Sequence, residues 1–524
     1  MKSLLLVTAL CVSIPYAWSQ DPLLHFNGTL DRGETGYSVL TVPAAAGGPA
    51  GVLLATPDAL LGNTPGNVFR LTAGGAVLWS FSGVANGDAA GSALALIGDL
   101  DGDGIREIVI GAPQKLSAAA ATGPGYVTAV SGATGLPLGQ LSGAASGDEF
   151  GSALSSVDLN GDGFLDLVVG VPGAAAGTGA SLAYSGRTGA LLRQWSGDQT
   201  GDRFGTAIAG LSDLDADGFG DVAIGAPGTA FGASRPGFVR AFSGRTGAAF
   251  YTLSGNAGGD LFGTSVSGGA DLDGDSIQDL AVGATQFIDL CSPPGYVRVH
   301  SGADGSLIRE HAGTITSSFF GFSTRLGEDA SADGVGDLLI GVPQPFTDCA
   351  GGGGQAQLIS GRTGNELYRF EGEEPDCDTG LFTEFGFATD LGGDLNGDGL
   401  ADPLIGAIFA GSSCNFRPGS VDAFAGNDLF LNATPRQPRA GDPLVLRIAE
   451  GPAGHPTLLF LVGFNGVTLF VEVGGLQPFG QDETRTVAGT IPAGLAGSTL
   501  DFKAFARGAG GLVVDSAVES VTVR

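Results

Sequence analysis

The sequence predicts an all-β chain: a seven-bladed β-propeller followed by a small β-sandwich. Three observations predict it. First, an acidic nine-residue phrase recurs six times, at 99–107 (DLDGDGIRE), 158–166 (DLNGDGFLD), 213–221 (DLDADGFGD), 271–279 (DLDGDSIQD), 329–337 (DASADGVGD) and 394–402 (DLNGDGLAD). Second, the copies lie 55 to 65 residues apart. That period suits four short strands, one propeller blade, and not a coil of a solenoid. Third, the repeat vanishes near residue 429 and gives way to alternating apolar runs.

Within each repeat the elements keep one order. Phe-Gly or a relic of it stands about eight residues ahead of the acidic phrase: Ala90-Gly91, Phe150-Gly151, Phe204-Gly205, Phe262-Gly263, Phe320-Gly321 and Phe385-Gly386. An apolar run follows the phrase and ends in Gly-Ala-Pro or a variant: IVIGAP (108–113), LVVGVP (167–172), VAIGAP (222–227), LAVGAT (280–285), LLIGVP (338–343) and PLIGAI (403–408). A short β-type segment, a Ser-Gly-x-Thr-Gly turn (185–189, 243–247) and a closing strand such as LLRQWSG (191–197) complete the unit. The Phe-Gly rings, one per unit, read as core.

A seventh, degenerate copy precedes the six. Thr35-Gly36 stands for Phe-Gly, Ala55-Thr56-Pro57 for Gly-Ala-Pro, and 77–83 is the closing strand. Residues 43–51 hold no carboxylate, so this blade is expected to bind no metal. The opening LLHFNG (23–28) matches a closing strand, whereas the last repeat stops at its third strand, 420–426. The N-terminal strand therefore completes the last blade, which hides two sheet edges.

The acidic phrase carries the chemistry. Oxygen side chains stand at positions 1, 3, 5 and 9, with Gly at position 6 in five of six copies. Alternating carboxylates in a tight loop surround a hard cation such as Ca2+ with oxygen ligands. An EF-hand is excluded, because the loops join strand-like runs and position 12 is Ile110 or Val169, not Glu.

Phe-Gly, acidic loop and Gly-Ala-Pro in fixed order form the FG-GAP repeat, and residues 20–428 resemble the integrin α-subunit N-terminal propeller. The resemblance implies seven blades, Ca2+ in the hairpin between strands 1 and 2 on the lower face, and ligand binding on the upper face. It implies the ligand sets Asp99/Asp101/Asp103/Glu107, Asp158/Asn160/Asp162/Asp166 and Asp213/Asp215/Asp217/Asp221. The other three are Asp271/Asp273/Asp275/Asp279, Asp329/Ser331/Asp333/Asp337 and Asp394/Asn396/Asp398/Asp402. Position 7 (Ile105, Phe164, Phe219, Ile277, Val335, Leu400) would lend a backbone carbonyl and pack its side chain inward. Up to six Ca2+ follow. Ser276 in place of Gly and the neutral Ser331 predict weaker fourth and fifth sites. A structural role, pinning the hairpins, is the simpler reading of six ions of one design; an ion bridging to a ligand is the other.

Bulk properties bound the rest. The net charge is −30, and the six loops hold 21 of the 54 acidic residues. Nucleic acid and anionic membrane surfaces, which attract basic patches, are excluded as partners. Residues 1–19 read as a signal peptide, with Lys2, an apolar stretch 4–14 and Ala17-Trp18-Ser19; no later apolar run is long enough to insert in a membrane. Cys291, Cys349, Cys377 and Cys414 suggest two disulfides in an exported protein. Three pairings are open, and the family geometry favours Cys291–Cys349 and Cys377–Cys414 on the upper face.

Residues 429–524 contain six apolar runs: 444–448, 457–464, 467–473, 484–491, 499–506 and 517–524. They predict a C-terminal sandwich of immunoglobulin-like type. Catalytic signals are nearly absent. His25, His300, His311 and His455 are scattered, with no recurring nucleophile, P-loop or zinc signature. The sequence thus points to a secreted or cell-surface calcium-binding scaffold for adhesion to an extracellular protein or glycan, and to no enzyme. The alternatives are a Ca2+-dependent lyase or hydrolase of acidic polysaccharide, and a purely structural surface component.

Overall fold

A computed structural model describes residues 22–28, 34–44, 50–58, 62–115, 123–229, 235–286, 293–343, 354–372, 384–408 and 419–426, and the backbone of strands within 430–522. The signal-peptide segment and all four cysteines of the disulfide expectation lie outside the described residues, as does part of the carboxylate-free hairpin 43–51.

One compact unit spans Pro22–Asp428. Its first strand, β1 (Leu24–Asn27), is set aside for the last blade. Blade 1 is β2 (Val39–Val42), β3 (Gly51–Thr56), β4 (Asn67–Thr72) and β5 (Val77–Ser82). Blade 2 is β6 (Ala93–Leu96), β7 (Ile108–Ala112), β8 (Tyr126–Val130) and β9 (Pro137–Ser142). Blade 3 is β10 (Leu154–Val157), β11 (Asp166–Val171), β12 (Ala180–Tyr184) and β13 (Leu191–Ser196). Blade 4 is β14 (Ala207–Leu211), β15 (Asp221–Ala226), β16 (Phe238–Phe242) and β17 (Ala249–Ser254). Blade 5 is β18 (Phe262–Gly268), β19 (Leu280–Ala284), β20 (Tyr296–His300) and β21 (Leu307–Ala312). Blade 6 is β22 (Ser323–Leu326), β23 (Leu338–Val342), β24 (Gln355–Ile359) and β25 (Glu366–Glu371). Blade 7 is β26 (Phe385–Asp390), β27 (Leu404–Ala407), β28 (Ser420–Ala423) and, from the other end of the chain, β1.

Every blade is an antiparallel meander, so the chain is a seven-bladed β-propeller, as the repeat predicts. β1 pairs with β28 in the register Leu24↔Ala423 to Asn27↔Ser420. His25 Nδ1 sits 2.5 Å from Asp422 Oδ1 across that seam. Ring packing runs across the closure too: Tyr37 of blade 1 meets Phe387 of blade 7 at 5.0 Å between centroids, and Phe387 meets Phe322 of blade 6 at 4.8 Å.

The second strand of each blade is buried throughout, because neighbouring sheets cover both of its faces. That is why these segments read as unbroken apolar runs and not as alternation. The Phe-Gly rings are core as expected, with Phe150, Phe204 and Phe262 fully buried. The glycines of the two motifs are a matched pair. A Cβ on Gly111 would strike the carbonyl oxygen of Gly151 in the next blade, and one on Gly406 would strike that of Gly36, where the ring closes. Close backbone approach thus demands glycine.

A second compact unit contains Leu429–Arg524. Its described strands are β29 (Phe430–Thr434), β30 (Pro443–Ala449), β31 (Pro456–Phe464), β32 (Val467–Glu472), β33 (Gln477–Pro478), β34 (Arg485–Thr490), β35 (Thr499–Arg507), β36 (Val513–Asp515) and β37 (Glu519–Thr522). They form a three-stranded sheet, β29-β30-β34, and a second sheet ordered β32-β31-β35-β36, with β33 on β31 and β37 on β35. The six runs read from the sequence all fall on strands, and β29, β33 and β36 are additions.

Candidate metal centres

Each acidic loop joins strands 1 and 2 of its blade, and hydrogen bonds fix its shape before any ion is considered. The position-1 aspartate is the hub. Its Oδ2 accepts the amide of position 6 in all six loops: Gly104 to Asp99 (2.8 Å), Gly163 to Asp158 (2.9 Å), Gly218 to Asp213 (2.6 Å), Ser276 to Asp271 (2.7 Å), Gly334 to Asp329 (2.7 Å) and Gly399 to Asp394 (2.8 Å). These Asx-type turns wrap the backbone around the side-chain oxygens. Positions 4 and 6 take positive φ, with Gly in most copies but Ala216, Ala332 and Ser276 in three places. The left-handed turn at position 4 has no fixed residue type, so the sequence pattern does not announce it.

Position 9 does something different. Glu107, Asp166, Asp221, Asp279, Asp337 and Asp402 are completely buried. Each accepts the amide of position 2, for example Leu214 to Asp221 at 2.7 Å, Leu272 to Asp279 at 2.6 Å and Leu100 to Glu107 at 3.1 Å. All six also accept an amide beyond strand 3 of the same blade: Gly132 (2.9 Å), Gly186 (3.1 Å), Gly244 (2.9 Å), Gly302 (3.1 Å), Gly361 (3.0 Å) and Gly426 (3.0 Å). One carboxylate therefore ties the acidic loop of a blade to the end of its third strand. Burial, reinforced by the other loop carboxylates, pushes Asp166, Asp221, Asp279 and Asp402 up to about 6 and Asp337 up to about 8. Glu107 is raised for the same reason. Burying such charges is costly unless something positive offsets them.

Three loops bring three carboxylates together with one oxygen of each within 4.8 Å of the others: Asp99/Asp101/Glu107, Asp213/Asp215/Asp221 and Asp271/Asp273/Asp279. An all-oxygen donor set of this kind fits a hard cation. These groups are smaller than the sets the resemblance implies, because position 5 stands outside each of them. Asp103, Asp217 and Asp275 are not gathered with positions 1, 3 and 9. The Oδ1 of each accepts the amide of position 7, from Ile105 (2.8 Å), Phe219 (3.1 Å) and Ile277 (2.7 Å). Asp162, Asp333 and Asp398 are held in the same way by Phe164 (2.9 Å), Val335 (2.7 Å) and Leu400 (2.9 Å). Asp103, Asp162, Asp275 and Asp398 are also exposed, and Asp217 and Asp333 half-buried. Position 5 thus acts first as the cap of its own turn, with its second oxygen left over for an ion.

The second, fifth and sixth loops show no group of three carboxylates among the described residues. In the second and sixth, position 3 is Asn, whose amide bonds within the loop, Asn160 to Asp166 at 3.1 Å and Asn396 to Asp398 at 2.8 Å. The fifth loop departs furthest. Ser331 is buried and donates to Asp329 at 3.4 Å, while Arg362 lies 3.5 Å from Asp333. The fourth loop keeps its geometry despite Ser276, which simply adopts φ 72°.

Position 7 is half-buried and not packed fully inward. Where it is Phe, an arginine of the same blade's Ser-Gly turn covers the ring: Arg187 over Phe164 and Arg245 over Phe219, both at 5.2 Å. Such cation–π pairs hold the loop against the turn.

Two features are not evident from the sequence pattern. In blade 1, Gly51 occupies the place of the position-9 acid, and the buried Arg70 guanidinium fills the space a side chain there would use, donating to Leu71 O at 3.2 Å. The blade without the acidic loop carries a cation of its own. At the opposite end, Asp88, Asp202 and Asp260 are buried two residues ahead of the Phe-Gly position. Asp88 accepts from the Val84 and Ala85 amides (2.9 and 2.8 Å) and from the Tyr126 hydroxyl (2.7 Å). Asp260 repeats the pattern with Tyr296 at 2.8 Å. The recurring Gly-Asp dipeptide is the signal that could have found them.

Comparison with known proteins agrees with this architecture. The FG-GAP repeat family matches residues 90–130, 150–184, 204–241 and 262–300. Integrin alpha-5 of Xenopus laevis is 34% identical over 263 residues, 47% of this chain and 19% of that protein. Integrin alpha-V of Gallus gallus is 33% identical over 159 residues, 28% of this chain and 15% of that protein. Integrin alpha-PS5 of Drosophila melanogaster is 37% identical over 149 residues, 25% and 14% of the two chains. The matches span less than a fifth of these relatives' length. The chain is an FG-GAP repeat protein of the integrin-α-like kind, carrying its repeats on a seven-bladed propeller.

Proposed function

We propose that this chain is an exported adhesion or ligand-binding scaffold whose propeller is stabilised by Ca2+ in its six acidic loops. The observation that carries the calcium reading is the buried position-9 carboxylate, repeated in six blades and raised by burial and by its loop neighbours. Positions 1, 3 and 9 of each loop would hold the ion, position 5 would turn its remaining oxygen to it, and the carbonyl of position 7 would be a further donor. A bound divalent ion supplies positive charge that offsets the crowded carboxylates, so its binding free energy becomes folding free energy. The protein's part is to preset the loop with Asx turns and to pass the constraint, through position 9, to the end of the blade's third strand. The fifth loop, with the neutral Ser331 at position 3, would bind more weakly than the first, third and fourth.

The ligand reading rests on similarity to integrin α chains and on the repeated use of the lower loops for structure, which leaves the other end for recognition. An extracellular protein or glycan is the proposed partner class. Residues 1–19 serve as the signal peptide in this reading, 20–428 as the propeller, and 429–524 as an immunoglobulin-like sandwich. Among the described residues no helix is long and apolar enough to cross a membrane.

Chelation tests the metal role. The melting temperature is expected to drop on chelator addition and to recover with Ca2+ but not Mg2+, which prefers a tighter octahedral shell. An unchanged melt would refute it. A screen of surface proteins and glycans, with and without Ca2+, tests the ligand reading; new unsaturated or reducing ends on an acidic polysaccharide would replace the scaffold with an enzyme.

A further inference from the structure

One contact repeats around the lower rim of the propeller. From the closing strand, a side chain three residues before the strand's last residue reaches across to the strand 3–4 turn of the following blade. Trp79 of β5 donates its indole N–H to Gly132 O at 2.9 Å and lies against Gly135. Tyr251 of β17 donates its hydroxyl to Gly302 O at 2.9 Å and lies against Gly305. Arg193 and Arg309 make the same reach to Gly244 O and Gly361 O and lie against Gly247 and Gly364. Leu24 of β1 packs on Gly75.

In blade 2 this position is Gly139. No atom lies within 4 Å of where its Cβ would be, and none within 4 Å of a Cβ on Gly189, the blade 3 glycine that corresponds to Gly135 and Gly305. A second contact is missing at the same seam. Leu159, Leu214 and Leu272, at position 2 of their loops, lie against Gly244, Gly302 and Gly361 of the following blade. Their counterpart Leu100 is instead 40% exposed. The result is a cavity of about 480 Å³ between blades 2 and 3, walled by Ile97, Val109, Leu138, Leu141 and Leu167, with Gly186 and Arg187 on its blade 3 side.

We propose that this cavity is a binding site for a planar aromatic ring bearing an N–H or O–H donor. The ring enters where Trp79 and Tyr251 lie in blades 1 and 4, and its donor bonds to Gly186 O, the counterpart of Gly132 O and Gly302 O. Apolar walls supply the affinity and the Gly186 carbonyl supplies orientation, with Asp101 and Gln140 also on the lining. The chain itself thus shows twice what the site is shaped to accept. The proposal rests on blade geometry and not on the calcium role, although Asp101 of the first acidic loop also lines the cavity.

The test uses the full chain in calcium and ligand-observed NMR. Indole is expected to bind saturably and to be competed by p-cresol. Indene, which has the shape of indole without the N–H, is expected to bind about three- to tenfold more weakly, the worth of one hydrogen bond. N-acetyltryptophan amide separates the sources. Binding as tight as that of indole assigns the site to a partner's side chain, and exclusion assigns it to a free small molecule. Gly139→Trp fills the cavity from within, so it should abolish indole binding and raise the melting temperature. Gly139→Leu, which copies the apolar contact of Leu24, checks the same point with a smaller side chain. Absence of saturable indole binding to the unaltered chain overturns the proposal. So does indole binding that is unchanged in both variants, and equal binding of indene overturns the assigned donor.

Discussion

At the scale of single residues, the acidic loop divides its work between exposed and buried oxygens. Asp215 at position 3 is exposed, whereas Asp221 at position 9 is buried and holds the amides of Leu214 and Gly244. The two should therefore fail differently. Asp221→Ala leaves two buried amides without an acceptor, and urea denaturation in calcium should show a loss of roughly 2–5 kcal/mol. Asp215→Ala should shift the calcium midpoint while leaving the chelated protein within about 0.5 kcal/mol of its parent. Equal losses would mean that position 9 serves the ion alone. The spacing of the oxygens is legible in the sequence because it repeats; their division of labour is not. Which carboxylate is buried depends on Gly244, some way downstream of Asp221, and a linear pattern does not show that contact. Nor does it show that Asp162, Asp217 and Asp275 cap the turn two residues on, since the spacing alone makes every oxygen of the loop look equivalent. Arg70 is invisible for the same reason, since its place beside Gly51 follows from strand pairing across blade 1.

At the scale of the hairpin, the raised acids set a pH dependence with a definite sign. In the calcium-free protein Asp166, Asp221, Asp279 and Asp402 titrate near 6 and Asp337 near 8, above the 3.8 ordinary for aspartate. The native state then holds more protons than the unfolded state between about pH 4 and pH 8. Stability without calcium should accordingly rise as pH falls through that window. Protons compete with the cation for the same oxygens. The melting-temperature difference between calcium and chelator should therefore be largest near pH 8 and shrink toward about pH 5, as scanning calorimetry at several pH values would reveal. A difference independent of pH would argue that these carboxylates do not meet the ion. The strands themselves are readable because they are short, punctuated by Gly and buried on both faces. The pairing of the Gly-Ala-Pro glycine with the Phe-Gly glycine of the next blade explains why those two motifs travel together. β29 and β36 are harder to read, the first because Pro435 so soon after it resembles a linker.

At the scale of the whole propeller, stability depends on closing the ring. Removing residues 22–28 takes away β1, leaves β28 paired only with β27 so that its outer edge is bare, and deletes the contact of Leu24 with Gly75. An exposed strand edge is a template for association. Size-exclusion chromatography of that truncation should show oligomers or aggregate where the parent runs as one species, and a well-behaved truncated monomer would show that closure is dispensable. The seven-blade count and the borrowed strand are both legible, because a closing strand without its own blade stands at one end of the propeller and a blade without its closing strand at the other. The gap between blades 2 and 3 is not, although Gly139 is plain in the sequence. A missing side chain becomes informative only when its counterparts are known to point across the same seam.

The shared last blade also sets a timetable. β1 is made first, yet its partner β28 emerges about 400 residues later, on the order of 20–80 s at usual rates of synthesis. Throughout that interval six blades can form in order while the first strand waits unpaired. Maturation of the ring is thus a late event, limited by the meeting of two distant ends, and any factor that shields β1 during synthesis governs the yield of closed propellers.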